Sequence, residues 1–178
     1  MNQENKANTP SPQTIALAGL AAEYCAAVAT CSENGANSFC REVLRYLPRL
    51  YAAIADLRPY GQEEGEDSGM IYQSMDEDLY DSARESMAAL FGEYDVYLDT
   101  PVEDMRYSDT PVGVSLAEKL ADIYQNMYDF ADTVRQAPTD ALPMVLAELK
   151  YRFDSYLSED ICDALRATNF IYHKKVLE

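Results

Sequence analysis

An all-α bundle of five to six helices without regular sheet is the fold that the sequence predicts. Three observations predict it: apolar residues recur at helical spacing over most of the chain, no stretch alternates in the manner of a strand, and caps and breakers fall between the periodic segments. The chain has 178 residues, enough for one domain that buries roughly 70% of its unfolded surface. Apolar residues make up 48%, against only seven glycines and eight prolines, which is the composition of a packed core.

Residues 1–13, polar and holding two prolines, read as a flexible leader, and residues 14–178 as a single helical domain. The first helix runs from Thr14 through Ile15, Leu20, Tyr24, Val28 and Cys31 to a stop at Asn34-Gly35. Its alanines and Gly19 leave a thin face that another helix can approach closely. Ser38 is placed to cap a second helix carrying Phe39, Val43, Leu47, Leu50, Tyr51, Ile54 and Leu57; Pro48 inside it predicts a kink or two pieces. Residues 60–75, rich in glycine and acid, read as a mobile loop, dispensable for folding over 61–67. A third helix follows over 76–98, with Leu79, Ala83, Met87, Leu90, Tyr94 and Tyr97 on one side, and then a proline-marked loop over 99–113.

The strongest helix signal comes next. Ser115 and Glu118 form a capping box, and Leu116, Leu120, Ile123, Met127, Phe130 and Val134 recur at steps of three and four, a bundle seam. Ala137-Pro138-Thr139 breaks it. Residues 140–176 read as helical through Leu142, Leu146, Leu149, Phe153 and Tyr156, then Ala164, Ala167 and Ile171. In an unbroken helix Asp160 would fall on the stripe of Leu142, Leu149 and Phe153. Either Ser158 starts a new helix and Asp160 meets water, or the helix continues and Asp160 sits in a polar notch with a partner such as a tyrosine hydroxyl.

The net charge is −17, and residues 60–110 alone hold fifteen acids against Arg84 and Arg106. Such a field repels phosphate backbones and anionic lipid, so neither direct nucleic-acid binding nor membrane binding is expected; solubility is its simplest use. No apolar run approaches membrane-spanning length. Residues 15–22 lack the basic flank of a secretory signal, which leaves a cytoplasmic protein with reduced thiols. Fourteen tyrosines, five phenylalanines and no tryptophan put many phenol rings along helix seams.

Catalysis finds little support. Glu118, Asp122 and Asp129 are the natural magnesium ligands of a helical phosphohydrolase, but on a helical wheel they lie roughly 120–160° from the Leu116–Val134 seam, a solvated direction. The acids at 76, 77, 78 and 81 are explained by a helix start, and His173, beside Lys174 and Lys175, by a helix end. Cys25, Cys31, Cys40 and Cys162 have neither zinc nor redox spacing and read as small buried apolar groups. Asp163 and Arg166 form a helix-surface pair.

Four segments in order, Leu47-Pro48-Arg49-Leu50-Tyr51, Asp95-Val96-Tyr97, Leu120-Ala121-Asp122-Ile123-Tyr124 and Asp163-Ala164-Leu165-Arg166-Ala167, resemble the uncharacterised bacterial family known as domain of unknown function 5063. The resemblance spans most of the chain and implies a helical domain without an established activity. Members of that family tend to carry His-Trp-Gly and a second histidine before the last segment. Tyr156, Leu157, Ser158 and Asp160 fill those places here, so no metal site is expected in this region.

The leading reading is a non-catalytic helical module with an acidic surface that binds another protein, or itself, through tyrosine-bearing helix faces. Tyr97, Asp122, Tyr124, Tyr156, Asp160, Asp163 and Arg166 are its candidate binding residues, and no cofactor or metal is implied. Two other readings stay open: a divalent-metal hydrolase of a phosphorylated small molecule, and an acidic nucleic-acid mimic that binds a basic protein.

Overall fold

The computed structural model describes residues 10–58, 69–99 and 110–174. Ser11 caps helix α1 (Pro12–Ala29) by accepting the Thr14 N–H at 3.1 Å, with Pro12 at the first helical position. A single turn, α2 (Cys31–Asn34), leads to Gly35, whose φ of 75° reverses the chain into α3 (Ala36–Ala55). Helix α3 therefore begins two residues before Ser38, which makes no cap. It continues through Pro48 as one element, without the expected division, and the Leu44 carbonyl forgoes its i+4 donor there. Gly19 admits no close neighbour either: a Cβ there would meet nothing within 4 Å, and the small residue buried on α1 is Ala21.

Helix α4 (Glu77–Phe91) is capped by Asp76, which accepts the Leu79 N–H at 2.8 Å. It stops seven residues short of the expected end, because Gly92 at φ 55° turns the chain. After a 3-10 turn over Gly92–Tyr94, strand β1 (Val96–Asp99) pairs antiparallel with β2 (Val112–Ser115). This ribbon is the one departure from an all-helical chain among the described residues. Each strand has only four residues, too few for alternation to stand out in the sequence. Ser115 then caps α5 (Leu116–Gln136) by accepting the Glu118 N–H at 3.1 Å, as the capping box predicts.

Helix α6 (Leu142–Arg152) passes through a π-helical turn, Phe153–Leu157, into α7 (Ser158–Lys174). The backbone stays helical at Arg152, Phe153 and Ser158, so there is no break at Ser158. A π turn inserts one residue and rotates the helix beyond it by about 100°. Ile161 thereby takes the core direction that Asp160 would otherwise hold.

The protein is thus an α-helical bundle with one short ribbon. Since α2 is a single turn, six longer helices remain among the described residues, within the expected five to six. Helix α5 is the axis: α1, α4, α6 and α7 all pack on it, and α3 packs on α1 and α7. Its Leu116, Leu120, Ile123, Met127 and Phe130 are wholly buried. Tyr24 of α1 donates its hydroxyl to the Leu120 carbonyl at 3.0 Å, which satisfies a phenol that burial holds far above its usual range. Cys31 and Cys40 are buried as expected and Cys25 is half-buried, but Cys162 is exposed on α7. No described helix is long and apolar enough to cross a membrane.

Candidate functional site

Four helices pack on α5, and its carboxylates meet different surroundings: Glu118 is exposed, as the helical wheel suggests, whereas Asp122 and Asp129 meet protein. Asp129 is only 4% exposed. Its Oδ1 accepts the N–H groups of Ser74 and Met75, both at 2.8 Å. Thr133 Oγ1 accepts the Tyr72 N–H at 3.1 Å, and the wholly buried Glu148 of α6 accepts the Met70 N–H. Arg152 pairs with Glu148 at 2.7 Å and donates to the Ile71 carbonyl at 3.4 Å. These groups fasten residues 69–75, an irregular strap, across α5 and α6, with Ile71 and Met75 buried beneath it. Of residues 60–75, where the mobile loop is expected, 60–68 lie outside the described residues, including the stretch 61–67 expected to be dispensable. Burial raises the Asp129 carboxyl, and the two N–H groups oppose that rise. Asp129 is therefore a buried tie, not the solvated carboxylate that the helical wheel suggests.

The second polar group runs along α5, α7 and β1. Tyr80 of α4 donates its hydroxyl to Asp122 at 2.7 Å, and Lys119 pairs with Asp160 across α5 and α7. Asp122 is thus a half-buried acceptor, not a solvated group. Burial raises its carboxyl, and Asp160 and Glu118 add to the rise. Asp160 follows the second expected course: the helix continues and the carboxylate lies in a polar notch, with the Lys119 ammonium as its partner in place of a phenol. Arg166 reaches from α7 to Asp99 of β1 at 2.6 Å, approaches Asp163 at 3.8 Å, and lies over the Tyr97 ring at 5.6 Å. The Tyr97 hydroxyl is buried without a hydrogen-bond partner among the described residues; burial pushes it up to about 12, with Asp163 and Asp99 contributing.

Beside this group lies an apolar face. Val96, Leu98 and Phe170 are 63%, 70% and 54% exposed, and they border a groove of about 360 Å³ between β1 and α7. Tyr94, Tyr97, Arg166, Ala167 and Ile171 complete its lining.

The sequence profile of a domain of unknown function, DUF5063, matches residues 8–174. The chain belongs to the DUF5063 family. Among curated proteins none matches it. A similar solved structure is the crystal structure of protein BF1032 from Bacteroides fragilis, 23% identical, with a TM-score of 0.73 over 90% of this chain and 92% of that one. At that identity the likeness speaks for the bundle alone.

Three of the four segments that resemble the family meet in this DUF5063 fold, on β1, α5 and α7. They bring together Tyr97, Asp122, Asp163 and Arg166, and Asp160 stands one turn before the last segment. Tyr156, 42% exposed, joins from the π turn, where its hydroxyl donates to Asn126 Oδ1 at 3.0 Å. Tyr124 stands apart, buried on another side of α5 with its ring against Tyr128. Lys119 and Leu98 carry no mark in the sequence, and Val96 stands there only within a family-like segment. Phe170 left one signal, a large aromatic off the Ile161–Ala164–Ile171 stripe. Among the described residues, no three histidine, cysteine or acidic side chains converge as a metal would require.

Proposed function

We propose that this DUF5063 protein is a non-catalytic helical module that binds another protein, in the cytoplasm, through the face made by β1 and α7. The observation that carries this reading is the exposure of Val96, Leu98 and Phe170 around a single groove. Large apolar side chains gathered at a polar-rimmed groove mark interaction surfaces, whereas scattered ones do not. Arg166, stacked on Tyr97 at the rim, adds the residue types that anchor protein interfaces. Tyr97, Asp163 and Arg166 are its binding residues at the rim; Asp122, Tyr156 and Asp160 lie farther along the same band. Two of the three carboxylates of α5 that a hydrolase would need are already engaged, Asp122 by Tyr80 and Asp129 by backbone N–H groups.

The test is quantitative co-purification with tagged wild type, Leu98→Asp, Phe170→Asp and, as a control at a distant exposed apolar position, Ile15→Asp. A partner whose recovery falls about tenfold or more in the first two variants, and not in the control, supports the reading. Equal recovery with all four proteins overturns it.

A further inference from the structure

We propose that the groove beside β1 receives an extended, cationic segment of the partner as a third strand. The proposal rests on the interaction reading above and names how, and with what, the contact is made. It begins with the ribbon's register, in which Tyr97 faces Val114 and Asp99 faces Val112. The Leu116 N–H donates to the Asp95 carbonyl at 2.8 Å. In an antiparallel ladder, hydrogen-bonded pairs alternate with non-bonded ones. The Asp95–Leu116 bond therefore directs the peptide groups of Tyr97 and Asp99 toward β2, and those of Val96 and Leu98 toward the opposite edge. Among the described residues no strand lies on that edge, since the sheet consists of β1 and β2 alone.

The side chains follow the same alternation. Tyr97 and Asp99 turn toward Arg166 of α7, while Val96 and Leu98 stand exposed. An incoming strand meets two N–H and two C=O groups in line, with Val96, Leu98 and Phe170 beside it. Main-chain bonds then give affinity, and alternate apolar side chains give selectivity.

Charge selects the occupant. Arg166, the one charged side chain lining the groove among the described residues, is engaged by both Asp99 and Asp163, and the whole chain carries −17. The Asp163 carboxyl is raised first by burial and then by Asp99, with Lys119 and Arg166 opposing the rise. A segment bearing lysine or arginine between apolar residues complements this field. A second copy of the same acidic chain would be repelled by it.

The experiment uses the full chain and a fluorescent synthetic peptide of about eight residues, long enough to run along β1. The peptide alternates valine with lysine, arginine and threonine, and binding is read by anisotropy. The expected result is binding that weakens with salt and falls about tenfold or more in two cases: when glutamates replace the basic residues, and when alternate peptide nitrogens are methylated. Leu98→Pro, which deletes an outward N–H on an edge strand and leaves the β2 pairs intact, should weaken it likewise. Absence of binding, or equal binding by the methylated peptide, overturns strand addition. If Phe170→Asp still lowers partner recovery in that event, the interaction reading stands and only the strand mechanism fails. A dimer of the protein alone that Leu98→Asp dissolves overturns the cationic partner in favour of a second copy.

Discussion

Asp129 Oδ1 and the Met75 N–H stand 2.8 Å apart, and through this contact the central helix holds the strap that precedes α4. The same oxygen takes the Ser74 N–H at the same distance. Asp129→Ala deletes a charged acceptor from two backbone donors, the Met75 one buried and the Ser74 one partly so, and each charge-assisted bond is worth about 1.5–3 kcal/mol. A loss of about 2–4 kcal/mol in urea unfolding is expected, far more than a solvated aspartate gives. Asp129→Asn retains an oxygen and should lose less. Equal stability of Asp129→Ala and wild type would show that the strap is not held there.

Arg152 supplies the cation for Glu148, whose side chain is wholly buried. Taking one partner from a buried pair costs about 3–5 kcal/mol, because the remaining charge stays desolvated. Arg152→Met should destabilise by that amount, whereas Arg45→Met, which breaks the exposed pair with Glu42, should change stability by less than about 0.5 kcal/mol. Matched effects in the two variants would contradict the placement of Glu148 in the core.

The seam of α5 was legible because Leu116 to Phe130 keep helical spacing and Ser115 marks the start. Leu120, Ile123 and Met127 have no exposed surface. Each truncated to alanine should lose about 2–5 kcal/mol by thermal or urea unfolding. A loss below about 1 kcal/mol at all three would contradict the packing.

What a single helix cannot reveal is its surroundings. The wheel put Asp122 and Asp129 away from the main seam, and that direction was right; its equation with solvent failed because α4 and the strap cover those sides. The π turn left no mark in composition either, yet it decides that Ile161 and not Asp160 faces the core. Of the candidate site, Tyr97, Asp163 and Arg166 were legible from the family-like segments. The exposure of Val96, Leu98 and Phe170 was not, because exposed apolar residues look like core until a fold leaves them uncovered.

Asp122 gives the pH dependence a sign. Burial raises its folded-state value above the ordinary 3.8, so the folded protein holds this proton more tightly than the unfolded chain. Its contribution is fully present below about pH 4 and is lost as pH rises through the raised value. Asp122→Asn removes that loss. The stability of wild type relative to Asp122→Asn should therefore decline from about pH 4 upward, measured by urea unfolding at each pH. A relative stability that rises over the same range would reverse the sign and show that Tyr80 outweighs desolvation.

The most direct measurement of whether the β1–α7 face is where a partner binds is photocrosslinking in living source cells. A photoreactive phenylalanine analogue at position 170, or at 98, is compared with the same analogue at position 15 on the exposed side of α1. The predicted result is a discrete adduct of one added protein mass from positions 98 and 170, and none from position 15. Adducts of equal yield from all three positions, or from position 15 alone, would contradict a binding surface built on β1 and α7.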